Sequence, residues 1–208
     1  MQTTRTDPPY IPIRSGGWPS RRSPKWVFAA AVVLLAIGIG VALVHRPTAG
    51  QRAADLHGFL HQLNTDVESC SGGVRESLYA LRQIDSGASQ DIKTATKVAT
   101  TAAANCSPAN NQLIEDLTTV QAPESLARYD LSRAVTALID WSAPRAGQVA
   151  ADVATVLADR GRPGEAAART ALAADRRKLD RQRTVVDRAL APAIKAIDPA
   201  AAPPALYG

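Results

Sequence analysis

The chain has 208 residues, 46% apolar but only 4% aromatic, and a formal net charge of +5. Alanine, the best helix former and a poor core filler, dominates the apolar fraction, which argues for closely packed helices in one domain and against a sheet protein. The positive charge suggests nucleic acid until it is located, and its location argues against it: five of the cations precede Trp26, the rest of the chain is nearly neutral, and no cationic run is interleaved with stacking aromatics.

Residues 1–25 contain Pro8-Pro9, Pro12, Gly16-Gly17, Pro19 and Pro24. Such a stretch cannot bury a core and reads as a disordered cytoplasmic tail. Residues 26–44 (WVFAAAVVLLAIGIGVALV) carry no charge. As a helix they would measure about 28 Å, close to the ~30 Å hydrocarbon thickness of a bilayer, and Trp26 would sit at the headgroup layer. Arg14, Arg21, Arg22 and Lys25 precede this segment, whereas Arg46, Arg52 and Asp55 follow it. The positive-inside bias then puts the N-terminus in the cytoplasm and the bulk of the chain outside the plasma membrane. The segment exceeds the roughly 7–15 residues of a secretory hydrophobic region and has no well-placed small-x-small site, so it reads as an uncleaved signal anchor. Within it, Ala36-x-x-x-Gly40 and Gly38-x-x-x-Ala42 offer a face for a helix–helix contact in the membrane, either self-association or a protein partner.

After a linker at 45–50, residues 51–197 read as an all-α extracytoplasmic bundle of about four main antiparallel helices. No stretch alternates with period two for long enough to form a sheet. The first helix carries Leu56, Leu60, Leu63, Val67, Cys70, Val74, Leu78 and Leu81 at spacings close to alternating fours and threes. Gly72-Gly73 are expected to interrupt or bend it. His57 and His61 lie on one face of this helix at a spacing that suits metal ligands. No zincin glutamate stands between them and no further histidine follows, so the expectation is a solvated polar pair, with no metal and no cofactor.

Asp85-Ser86-Gly87-Ala88-Ser89 reads as the turn into the second helix, with Ser89 as its cap. Measured from Gly87, Cys70 and Cys106 are nearly equidistant, so in an antiparallel pair they stand level to within roughly 3 Å. Two cysteines on the oxidising side of a membrane then predict a disulfide clamping the two helices. Ser107-Pro108 reads as the cap and first residue of a short helix to about Gln121. Pro123-Glu124 opens the next helix, kinked at Ser142 and Pro144. Gly161-Arg162-Pro163-Gly164 is a turn, the last helix follows from Glu165, and residues 198–208 read as a loose tail.

Charge is unevenly distributed over this domain. Residues 160–195 hold ten bases and four acids, whereas residues 51–159 hold eight bases and thirteen acids. The simpler consequence is charge complementarity inside the bundle, worth little per exposed pair. The functional alternative is a face of Arg169, Arg176, Arg177, Arg181, Arg183 and Arg188 that meets anionic lipid headgroups, an anionic envelope polymer or an acidic protein. Gly-x-Ser-x-Gly, P-loop and Rossmann glycine patterns are absent from the sequence. The expectation is therefore a non-enzymatic envelope protein of a GC-rich bacterium, docking on another membrane or envelope component. The alternative is a sensory or ligand-binding helical domain.

Overall fold

A computed structural model describes residues 47–207 apart from Pro108. The segment 26–44, with Ala36, Gly38, Gly40 and Ala42, lies outside the described residues. Among the described residues six α-helices and two irregular helical turns make up the fold, and no strand occurs.

Helix α1 (Ala49–Asp85) starts inside the expected linker. The reason is local: Thr48 and Gln51 form a capping box, in which the Thr48 hydroxyl accepts from Gln51 N–H and the Gln51 side chain accepts from Thr48 N–H. The helix is 37 residues long and runs through Gly72-Gly73 without interruption. Gly73 is instead a point of close approach, since a Cβ there would lie 3.0 Å from Ala102 Cβ. Helix α2 (Ile92–Asn105) presents Ala95, Ala99 and Ala102 to this contact, so small residues on both sides let the two backbones approach. Asp91, not Ser89, is its N-cap, accepting from Thr94 N–H at 2.9 Å.

Helix α3 (Asn111–Thr119) begins later than the Ser107-Pro108 pair suggests, after an Asn110 cap. A 3₁₀ turn at Glu124–Tyr129 follows and ends on Asp130, a non-glycine residue with φ 49°. Helix α4 (Ser132–Trp141), a π turn (Ser142–Ala146) and helix α5 (Gly147–Ala158) form one continuous helical run. Pro144 falls in the π turn, where its missing N–H and ring are accommodated by the wider helical step. Gly161, with φ 72°, turns the chain into α6 (Glu165–Ile197).

The packing order follows from these lengths. Helix α2 lies against both α1 and α5, and α6 lies against α4 and α5 with a lesser contact to α1. Asp85 meets Arg169 at one end of α1 and His57 meets Asp198 at the other, so α1 and α6 run antiparallel. One core connects them all. It is built on α1 by Leu56, Leu63, Val67 and Val74, on α4 by Leu138 and Trp141, and on α6 by Leu179, Val186 and Leu190.

Residues 198–207, expected to run loose, pack onto the bundle. Ala201 and Leu206 are buried. Ala205 N–H donates to the Asn64 side chain at 3.0 Å, and buried Ser71 donates to Ala205 C=O at 2.8 Å while accepting from Tyr207 N–H at 3.1 Å. A Pro203-Pro204 pair cannot form a helix, but it leaves carbonyls and the Leu206 side chain available to α1.

Candidate functional site

Cys70 on α1 and Cys106 at the C-terminal end of α2 are at bonding distance, with Cα atoms 5.0 Å apart and both residues fully buried. The pair closes a separation of 36 residues. Its surroundings are tight: a Cβ on Gly147, the first residue of α5, would sit 2.9 Å from the Cys106 carbonyl oxygen. Three helices therefore converge at the bridge.

The expected cationic face divides in two. Arg169 belongs to the bundle's own ion-pair cluster, with Nη2 at 2.7 Å from Asp85 Oδ1 and Nε at 2.8 Å from Glu165 Oε1. Arg160 joins it, donating to Asp85 Oδ1 at 2.6 Å and to the Ile84 carbonyl. Hydrogen bonds from Arg169 and then Arg160 hold the Asp85 carboxyl below its ordinary value, although burial opposes them. The cluster fastens the turn after α5 and the start of α6 to the end of α1. Arg183 faces Asp187 at 3.8 Å, one helical turn away. Arg169 thus serves charge complementarity inside the bundle, whereas Arg183 stays exposed with its near carboxylate on α6 itself.

Arg176, Arg177, Arg181 and Arg188 are exposed, and so is Lys195 near the C-terminal end of α6. None of the five has a carboxylate within 4 Å among the described residues. Arg177, Arg181, Arg188 and Lys195 fall within about 40° of one another around the α6 axis, at 100° per residue, and span about 27 Å along it. Buried Leu172, Leu179, Val186, Leu190 and Ala193 occupy the opposite side of the helix. Arg176 stands about 100° from the line.

His57 and His61 are both exposed. His57 Nε2 is 2.8 Å from Asp198 Oδ2, which ties the start of the C-terminal segment to α1. Backbone N–H of Ala200 and then His57 keep the Asp198 carboxyl below its ordinary value. Among the described residues no group of three or more histidine, cysteine, aspartate or glutamate side chains stands close enough to hold a metal ion.

Two further features escaped the sequence reading. Glu68, Gly72, Glu76, Thr94, Lys97 and Thr101 line an open groove of about 470 Å³ between α1 and α2. On α5, Asp152 is buried: one carboxylate oxygen accepts from Gln148 at 2.8 Å, and the other accepts no hydrogen bond among the described residues. Burial, then Asp175 across the α5–α6 interface, pushes the Asp152 carboxyl up; Asp175, bonded to Lys178 at 2.5 Å, is pushed down.

Among the described residues no helix is both long and apolar enough to cross a membrane. The chain matches no protein-family model, no curated protein and no solved structure.

Proposed function

We propose that this chain is a single-pass membrane protein: residues 26–44 anchor it, and the disulfide-clamped bundle stands on the extracytoplasmic side, docking without catalysis on another envelope component. The apolar segment of 19 residues, flanked by cations on its N-terminal side, supports the anchor and the orientation. The buried Cys70–Cys106 pair supports the same side, because disulfides persist where thiols are not kept reduced. The observation that carries docking is the exposed cationic line on α6, whose charges the bundle itself does not neutralise.

Extraction of native membranes in mild detergent and recovery through a C-terminal tag tests this reading. Docking on a protein predicts a stoichiometric partner, and docking on a polymer predicts co-purifying anionic material. The α1–α2 groove favours the second reading, a ligand-binding domain. A tightly held small molecule in that groove, with no envelope component alongside, would replace docking by ligand binding.

A further inference from the structure

We infer that the line of Arg177, Arg181, Arg188 and Lys195 on α6 binds a linear polyanion, a chain bearing repeated phosphate or carboxylate groups. The inference deepens the docking reading and rests on it for the polymer's location outside the membrane.

The four cations are exposed and point away from the core face. Successive separations of four, seven and seven residues place them about 6, 10 and 10 Å apart along the helix. Three of the four are arginines, whose planar guanidinium engages phosphate and carboxylate through paired hydrogen bonds.

Three observations select a polymer over other anionic partners. The line is narrow, and exposed Asp180 and half-buried Asp187 border one flank of it about 60–80° around the helix, which disfavours a broad anionic plane such as a membrane. Thr184, Val185, Ala191 and Pro192, all exposed, are the other residues within about 40° of the line, so it lacks the Trp, Phe or Leu that helices insert among lipid headgroups. A protein interface would want a large aromatic anchor at its centre, and the large apolar side chain beside the line, exposed Val185, is of a type that rarely supplies one. What is left is a row of charges matched to a row of charges.

The full-length chain in neutral detergent micelles is titrated with inorganic polyphosphate, with polygalacturonate, and with phosphatidylglycerol vesicles. Polymer binding is expected to weaken about 50-fold between about 50 and 200 mM salt, as four contacts to a single-stranded polyanion give. Changing Arg177, Arg181, Arg188 and Lys195 together to Gln should reduce it at least about tenfold. A charge-matched control, Arg75, Arg82, Arg162 and Arg176 to Gln, should stay within about twofold. Equal losses in the two variants, binding to vesicles but to neither polymer, or no binding at all would each overturn the inference. Because micelles make the assay independent of topology, its failure would leave the membrane anchor standing.

Discussion

Asp152 and Asp175 bring two carboxyls together across the α5–α6 interface, with Gln148, Arg145 and Lys178 as the other polar groups around the adjoining pocket. Burial raises Asp152, so the native state binds its proton more tightly than the unfolded chain does. Stability contributed by the protonated form is therefore present at low pH and lost as pH rises through the raised value. Replacing Asp152 with Asn keeps an acceptor for Gln148 and gives Asp175 a donor. At pH 7 the variant should be more stable by about 1 kcal/mol, and the gain should vanish below about pH 4. Urea melts of both proteins across that range check this, and a variant less stable at neutral pH would contradict the assignment. None of this was legible in the sequence, where Asp152 is one acid among many; its burial depends on which face α5 turns inward. Gly147 is similar, since only the fold shows that it lies against the Cys106 carbonyl.

At the scale of elements, the periodic helices were the most legible. The apolar stripe from Leu56 to Leu81 predicts α1, and counting from Gly87 brings Cys70 level with Cys106. Gly72-Gly73 misled, because glycine that weakens a helix is tolerated where it admits a neighbouring backbone. Ser107-Pro108 misled too: Ser107 closes a local turn with Ala109 N–H, and Asn110 does the capping instead. The π turn at Ser142–Ala146 falls on Ser142 and Pro144, where a kink or restart is expected, and the helical backbone continues through it into α5. Because the disulfide closes 36 residues, changing both cysteines to Ala should destabilise the bundle by roughly 4 kcal/mol in the chain-entropy model. Denaturation with and without reductant reads this directly. Reductant should lower the wild-type midpoint and leave the variant unmoved; a wild-type midpoint insensitive to reductant would contradict the clamp.

For the whole molecule, charge asymmetry was visible in composition, but its division was not. The run of bases between Arg160 and Lys195 contains both the ion-pair cluster around Asp85 and the outward line on α6. Only tertiary contacts separate Arg169 from Arg188. The C-terminal segment likewise looked loose because its prolines preclude a helix, yet Asn64 and Ser71 supply partners from far away in sequence. The proposed topology puts the described domain outside a membrane that residues 26–44 enter. Labelling intact cells with a membrane-impermeant lysine reagent tests it most directly, because Lys93, Lys97 and Lys195 are exposed in the bundle and Lys25 precedes the apolar segment. On that topology Lys93, Lys97 and Lys195 react on intact cells and Lys25 reacts only after lysis. Labelling of Lys25 on intact cells, with Lys93, Lys97 and Lys195 protected until lysis, would contradict it.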